Sequence, residues 1–197
     1  MSPRVYSSAR DRILDAAERL IRSRGAGQLS VEAVAQEAEV SKGGFFHHFA
    51  SKDELLVAIL DRLVGGVQEQ VVAMAANDPE PRGAKLRAQI AMAFDMGEET
   101  LGDFVALLLA FLQVASAQPA LIKRSQQINS EVIARDEAED IPVGRAIAIQ
   151  FALDGYGISL GVGSSALTPK QRAAFREALM ELAQPQKSND KKKRRTS

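Results

Sequence analysis

The sequence predicts an all-α protein of about nine helices, built as an N-terminal three-helix head followed by a larger helical bundle. Apolar residues recur at three- and four-residue spacing along almost every segment, which is the period of one helix face. Neither the alternation of a strand nor an Asn-Gly hairpin turn occurs in the chain. The 197 residues, 46% of them hydrophobic, suffice for the core of one or two domains.

The head is expected to contain three short helices, each opened by a serine. Ser8 can cap the first helix, and Gly25 can end it near Arg24. Ser30 and Ser41 can cap the next two, because a serine oxygen accepts a backbone N–H that the first helical turn leaves unpaired. The apolar side chains expected to form the core between the last two helices are Val34, Ala35, Val40, Phe45 and Phe49.

The bundle is expected to begin with a long helix opened by Ser51 and Glu54, which have capping-box spacing. Residues 77–81 read Asn-Asp-Pro-Glu-Pro and break the chain. The further helices are predicted at about 83–98, 101–117, 119–138, 142–162 and 168–183. Thr168 and Gln171 form a second capping box, with proline at the first helical position.

Three regions follow from this division: a helix-turn-helix head at 1–50, a helical body at 51–183 and a tail at 184–197. Residues 1–62 carry nine Lys or Arg and nine Asp or Glu, so the bulk charge of this region does not indicate a nucleic-acid partner. The tail is polar and basic, and its Lys and Arg run at 191–195 is either a solvated disordered end or a salt-sensitive phosphate clamp.

Composition excludes several classes of protein. Without cysteine the chain has no disulfide framework, thiolate nucleophile or cysteine-ligated metal. The start of the chain has no apolar signal core, and no run approaches the ~20 apolar residues that span a bilayer. We therefore expect a soluble cytoplasmic protein with no membrane partner.

The head has the minimum architecture that can place a helix in a major groove, which is about 12 Å wide. The outward-facing residues of its last helix are Lys42, Gly43, Gly44, Phe46, His47 and His48. Glycines allow close backbone approach, and a helix N-terminus favours phosphate. Periodicity alone is equally compatible with an ordinary bundle whose polar ends face solvent.

The run VSKGGFFHHFASKDELL at 40–56, together with AQEA at 35–38 and AAERLI at 16–21, resembles the DNA-recognition segment of the TetR family. The resemblance implies a repressor that binds a palindromic operator in double-stranded DNA as a homodimer and is released by a small-molecule inducer. The positions that it implies for DNA contact are Ser30, Lys42, Gly44, Phe46, His47, His48 and Lys52, to which we add Ser41 and Gly43. Among them, we expect Lys42 and His47 nearest the base edges and His48 and Lys52 on phosphates.

Three residues depart from the family pattern. Phe46 stands where a tyrosine is usual, which removes a hydroxyl that commonly reaches phosphate. Glu39 replaces a glycine that ends the second helix, and Glu32 places negative charge where a base-contacting residue can lie. If the left-handed turn at position 39 persists, a residue with a β-carbon destabilises it by roughly 1–2 kcal/mol.

The sequence indicates no enzyme and no cofactor, because it lacks a Glu-x-x-His pair and a Gly-x-Ser-x-Gly elbow. His47 and His48 could also suggest a metal site, but adjacent helical residues point in different directions. We therefore expect no metal.

The body is expected to hold a hydrophobic or amphipathic ligand whose identity the sequence does not specify. The candidate lining residues are Phe94, Asp95, Phe104, Leu108, Phe111, Gln113, Phe151 and Tyr156, with Asp154 as a further polar candidate. The alternative is that these aromatic residues form ordinary core.

The resemblance to the TetR family implies a homodimer in which helices 142–162 and 168–183 pair with the same helices of a second copy. The small residues taken to support close helix approach there are Ala146, Ala148, Ala152, Gly157, Gly161 and Gly163. Ligand binding would move the helix opened by Ser51 and change the separation of the heads. The alternative function is an orphan helical small-molecule-binding protein or enzyme whose head does not bind DNA.

Overall fold

The computed structural model describes residues 8–25, 29–115, 118–137, 140–164 and 167–185, with the side chains of 112–115 and 136–137 left out. Within those ranges the chain is helical, and they contain no strand. The helices are α1 (Ala9–Arg24), α2 (Val31–Glu37), α3 (Lys42–His48), α4 (Lys52–Ala75), α5 (Ala84–Asp95), α6 (Glu98–Ala115), α7 (Pro119–Glu137), α8 (Val143–Gly161) and α9 (Pro169–Leu182). The predicted all-α class and order of elements are confirmed. The basic run at 191–195 lies outside the described residues.

The predicted serine and threonine caps are present. Ser30 and Ser41 each accept a backbone N–H of the first turn, and Ser8 and Thr168 form full capping boxes. At α4 the structure differs from the expected box. Ser51 accepts from the Glu54 N–H, but Glu54 Oε2 accepts from the N–H of Ala50, 2.6 Å away, one residue before the cap.

The head core continues into the body through α4. Ile13, Val34 and Phe45 are fully buried among α1, α2 and α3, and Leu55 and Ile59 of α4 are buried in the same cluster. The first turns of α4 thus complete the head core, although they follow residue 50 in sequence.

Arg62 adds a polar connection between α4 and α1. Its Nη1 lies 2.7 Å from Asp15 Oδ1, and its Nη2 lies 2.5 Å from Glu18 Oε1. Since Asp15 and Glu18 lie on one face of α1, the two contacts fix the rotation of α1 against α4.

Glycines in α8 let it pack closely on α6 within one chain. A β-carbon at Gly157 would meet Val105 Cγ2 at 3.0 Å, and one at Gly161 would meet the Ala106 nitrogen at 3.1 Å. Ala146 is also buried, in the core that α8 shares with α5 and α9. The expectation that these three small residues face a second copy is therefore wrong, because they are used inside the subunit.

A buried arginine joins the loop before α5 to the end of α9. Arg87 is 8% exposed, and its guanidinium donates to Asp78 Oδ2 at 2.8 Å and to the Ala183 carbonyl at 3.0 Å. It also donates to the carbonyls of Arg82 and Glu80. One side chain thus satisfies acceptors from two distant parts of the chain.

No helix in the described ranges has the length and hydropathy needed to cross a bilayer. In the same ranges, no three histidine, cysteine or acidic side chains cluster as metal ligands would.

Candidate DNA-binding surface and ligand pocket

The turn between α2 and α3 keeps a left-handed residue without a glycine. Glu39 has φ of 54°, and the N–H of Val40 donates to the Ala35 carbonyl at 2.9 Å. This backbone bond closes a Schellman-type helix end, which normally has glycine at the left-handed position. Glu39 therefore keeps the geometry of the turn that glycine normally forms, but it adds backbone strain.

Helix α3 presents one polar face to solvent and one aromatic face to the core. Phe45 and Phe49 are buried, whereas Phe46 is 46% exposed and packs edge-on against Phe45. Lys42 and His47 are exposed. The structure thus brings the α3 residues predicted for DNA contact onto an accessible surface next to the start of α2.

The two serines act through their oxygen atoms within the head. Ser30 Oγ accepts from the Ala33 N–H at 3.1 Å, and Ser41 Oγ accepts from the Gly44 N–H at 2.9 Å. A capping hydroxyl still has a hydrogen to donate, so both serines remain able to bind phosphate.

Lys52 and His48 are half-buried, unlike Lys42 and His47. The ammonium of Lys52 donates to the Leu29 carbonyl at 3.1 Å. Lys52 therefore connects the start of α4 to the segment before α2, and only part of its hydrogen-bonding capacity is left for DNA.

Lys42 is paired in the free protein. Its Nζ lies 2.6 Å from Glu32 Oε1, and both side chains are about three-fifths or more exposed, at 61% and 66%. The hydrogen bond from Lys42 lowers the pKa of Glu32 below its ordinary value. The predicted base reader is thus neutralised by the acidic residue that departs from the family pattern. Sequence reasoning identified both residues but not their contact.

A pocket lies in the body where α4, α6, α7 and α8 meet. Its volume is about 300 Å³, the size at the lower end of small-molecule sites. The lining residues are Leu60, Val64, Leu108, Phe111, Leu121, Ser125, Ile128, Asn129, Val132, Gln150 and Asp154. The candidate ligand residues named from the sequence include none from α7, so the α7 wall of the pocket was missed.

Asp154 is the charged residue among the described side chains that line this pocket. Its Oδ1 accepts a hydrogen bond from Gln150 Nε2 at 2.9 Å. Asp154 lines the pocket and is also exposed to solvent. Its partial desolvation raises the pKa of Asp154, and the bond from Gln150 opposes that change. Water therefore supplies the remaining hydrogen bonds of this carboxylate.

The residues predicted for ligand binding do not form one site. Leu108 and Phe111 line the pocket, and Phe104 is half-buried on the same helix without lining it. Phe94 and Tyr156 stack with ring centroids 5.1 Å apart in the separate core of α5, α8 and α9.

Phe94 and Asp95 line a second cavity, of about 570 Å³, between the end of α5 and the start of α9. Asp95 is exposed and 3.3 Å from Arg176 Nη2, and Phe151 is 72% exposed on α8. The side chain of Gln113 lies outside the described residues.

The outer face of α8 carries an apolar stripe, made of exposed residues four or seven positions apart. Its members are Val143, Ile147, Phe151, Ile158 and Val162. Spacings of four and seven residues could have identified this stripe in the sequence, but small residues were used there to predict the interface.

Comparisons with known proteins agree with this architecture. Residues 13–59 match the family model described as "Bacterial regulatory proteins, tetR family", and residues 83–184, more than half of the chain, match "Tetracyclin repressor-like, C-terminal domain". The chain is similar to the HTH-type transcriptional regulator BetI of Rhizobium meliloti, with 26% identity over 177 residues and 85% of each chain covered. BetI of Paraburkholderia phytofirmans is 33% identical over 122 residues, or 61% of each chain.

A solved structure of the multidrug binding protein EbrR complexed with malachite green has a TM-score of 0.68 and 28% identity. The alignment covers 89% of this chain and 98% of EbrR. Sequence, domain order and three-dimensional structure thus give the same assignment. The chain belongs to the TetR family of transcriptional regulators.

Proposed function

We propose that this regulator is a repressor whose α4 transmits ligand binding in the body to the DNA-binding head. The observation that carries the proposal is the shared use of α4. Leu55 and Ile59 are buried in the head core, while Leu60 and Val64, within the next two turns, line the pocket. A ligand that displaces the pocket wall must therefore act on the helix that supports the head.

Ion pairs made by two adjacent α4 residues, Asp61 and Arg62, support this coupling. Arg62 holds α1 through Asp15 and Glu18. Asp61 holds Arg124 of α7 at 2.6 Å, and α7 forms one wall of the pocket. If α7 moves to accommodate a ligand, the ion pair of Arg124 with Asp61 would transmit that movement to α4. The next residue of α4, Arg62, is the one that contacts α1 of the head. Couplings of this kind amount to about 1–3 kcal/mol between two sites.

For DNA recognition we propose that Lys42 and His47 read base edges, while His48, Lys52 and the two capping serines bind phosphates. Phosphate contacts set the register, and base contacts supply sequence preference. Residues 1–50 and 51–183 are then the DNA-binding and ligand-binding regions, with the first turns of α4 contributing to both. A repressor of this kind acts in the cytoplasm, where a bacterial chromosome lies.

For dimerisation we propose that the apolar stripe of α8 and the exposed face of α9 pack against a second copy. An uncovered apolar row of this length is typical of a protein interface. A two-fold dimer would place two α3 helices about 34–36 Å apart on one face of DNA and select a palindromic operator.

The DNA-binding part is tested by selecting random duplex DNA on the purified full chain at about 150 mM salt, a concentration that limits non-specific binding. We expect a palindromic motif, which Lys42→Ala should lose or relax at one base pair of each half-site. Glu69→Gln, a charge change on α4 away from the head, is the control. If no motif emerges even after unfolding and refolding to remove bound ligand, an orphan binding protein becomes the better assignment.

The ligand part is tested with Leu108→Trp, which fills the pocket. Malachite green, the dye bound by the similar protein EbrR, serves as the first probe. We expect the dye to weaken operator binding by the wild-type protein, and Leu108→Trp to bind the operator normally but no longer respond. An equal response from Leu108→Trp would place the inducer outside this pocket.

A further inference from the structure

The pocket combines an apolar wall with neutral polar groups and one carboxylate. Leu60, Leu108 and Phe111 supply apolar surface, and Ser125 and Asn129 supply neutral hydrogen-bonding groups. No lysine or arginine occurs among the described lining residues, so none of them compensates the charge of Asp154. The chemistry of the wall is therefore asymmetric, because it attracts positive charge and repels negative charge.

Gln150 does not remove this asymmetry. Its amide donates one hydrogen bond to Asp154 Oδ1 and brings no net charge. Arg124 of α7, which follows the pocket-lining Leu121 by one helical turn, is engaged by Asp61 and Glu131, at 2.6 and 3.1 Å. The carboxylate of Asp154 thus depends on water for the rest of its solvation.

Filling the pocket changes that solvation. A hydrophobic ligand displaces water from the part of Asp154 that faces the cavity, and an anion that loses water without a partner is destabilised. A neutral ligand leaves this penalty in place, and an anionic ligand adds repulsion. A cation removes it, because its charge replaces the lost hydration, and the ring of Phe111 adds a favourable cation–π surface.

We propose that the inducer is a hydrophobic organic cation and that Asp154 is its counter-ion, so that this residue selects ligands by charge. This inference rests on the assignment of the pocket as the inducer site. It also predicts that shape alone does not suffice for a ligand: two molecules of the same size and shape should differ in affinity when only one carries a positive charge.

The test compares benzyltrimethylammonium with neopentylbenzene, in which carbon replaces the quaternary nitrogen. Their affinities for the full-length protein are measured by calorimetry. We expect the cation to bind at least about tenfold more tightly than the neutral molecule. Asp154→Asn should reduce cation affinity by about tenfold and leave neopentylbenzene within about twofold. Asp103→Asn, an exposed charge change on α6, should leave both affinities unchanged.

Three results would overturn charge selection: equal affinities for the two probes, unchanged cation binding by Asp154→Asn, or binding of neither probe. Leu108→Trp separates this failure from failure of the pocket assignment. If Leu108→Trp abolishes binding of both probes and charge makes no difference, the pocket stands and the counter-ion role fails. If the cation still binds Leu108→Trp normally, the assignment of the pocket itself is wrong. Circular dichroism of each variant verifies that it is folded.

Discussion

Glu39 occupies a backbone conformation that disfavours a β-carbon, at the turn which sets the angle between α2 and α3. Its φ of 54° is left-handed, and its side chain is exposed. The family pattern has glycine here, so the chain retains the turn at a cost in stability. The same feature predicts that stability can be gained at this position without touching the DNA-binding surface.

Glu39→Gly should raise the free energy of unfolding by about 1 kcal/mol. Glycine removes the strain of the left-handed conformation, and the extra backbone entropy that it loses on folding offsets only part of that gain. Urea denaturation followed by circular dichroism measures this, because the chain has no tryptophan. Gln36→Gly, within α2, is the matched control and should lower stability by about 1 kcal/mol. A loss of stability in Glu39→Gly would show that the turn is not strained.

The contact between Glu32 and Lys42 predicts that the free protein restrains its own DNA affinity. Breaking the 2.6 Å pair and bringing Glu32 near phosphates both oppose binding. Glu32→Gln should therefore raise affinity for DNA several-fold at about 150 mM salt, with a steeper salt dependence, because the DNA-facing surface gains one net positive charge. Fluorescence anisotropy over a salt series measures both quantities.

The gain should disappear when Lys42→Ala is added to Glu32→Gln, since the freed ammonium is its source. Glu69→Gln, which removes an exposed acid outside the head, controls for the change in net charge. Equal affinities for wild-type protein and Glu32→Gln would mean that the pair opens without measurable resistance.

At the scale of elements, the junction of α5 with the end of α9 depends on a glycine. Gly83 has φ of 75°, and a β-carbon there would lie 2.5 Å from the Ala183 carbonyl oxygen. Gly83→Ala should therefore lower the free energy of unfolding by about 3 kcal/mol, combining backbone strain with a clash against backbone. Gly66→Ala in α4, where a β-carbon meets nothing within 4 Å, should instead stabilise by about 1 kcal/mol. Chemical denaturation of both variants tests the contrast.

The same junction should be sensitive to acid. The hydrogen bond from Arg87 lowers the pKa of Asp78, so this carboxylate stabilises the fold above its unfolded pKa of about 3.9. That contribution is lost as pH falls through the folded-state pKa. Asp78→Asn should be less stable than wild type by about 2 kcal/mol near pH 7, and the difference should shrink as pH approaches 2.5.

Denaturation at a series of pH values measures this difference. Glu80→Gln is the control, because Glu80 is paired with Arg82 at the surface, where ion pairs contribute little. A difference between wild type and Asp78→Asn that stays constant with pH would contradict the assigned role of the carboxylate.

The sequence predicted elements well where the determining interactions are local. Each helix cap involves residues three apart, and Ser8, Ser30, Ser41 and Thr168 lie where spacing placed them. The role of Arg87 was not predictable, because its acceptors include the Ala183 carbonyl, 96 residues away. Ala146, Gly157 and Gly161 were misassigned for a related reason. A glycine indicates close helix approach and does not identify which helix approaches.

At the scale of the whole molecule, the stripe on α8 should control dimerisation. Phe151→Glu removes its most exposed member, at 72% exposure, and should change monomer stability little. We expect the dimer dissociation constant to rise at least about a hundredfold, since a central apolar anchor is replaced by charge. Sedimentation at micromolar concentration measures this, and operator affinity should fall with it.

Ile122→Glu is the matched control for that experiment. Ile122 is an exposed apolar residue on α7, away from the stripe, and its change to glutamate should leave the dimer intact. A dimer that survives Phe151→Glu with unchanged affinity would place the interface on another face.

The candidate sites were predictable to different degrees. The DNA-binding surface is continuous in sequence, so the run at 40–56 located it. The pocket draws on four helices, and its position depends on how α7 packs against α4 and α8. Aromatic content suggested Phe94 and Tyr156, but these residues pack against each other and lie outside this pocket, although Phe94 also borders the second cavity. A residue type indicates that a side chain can bind a ligand, whereas the packing decides whether a cavity lies beside it.

The stripe on α8 also has a consequence for gene dosage. If only the dimer binds its operator well, then at chain concentrations below the dissociation constant the amount of active regulator varies with the square of the number of copies. Halving expression would then remove three-quarters of the dimers. Since the apolar area on α8 sets that constant, substitutions along the stripe would change how steeply the target genes respond to regulator copy number, even where α3 and the pocket are untouched.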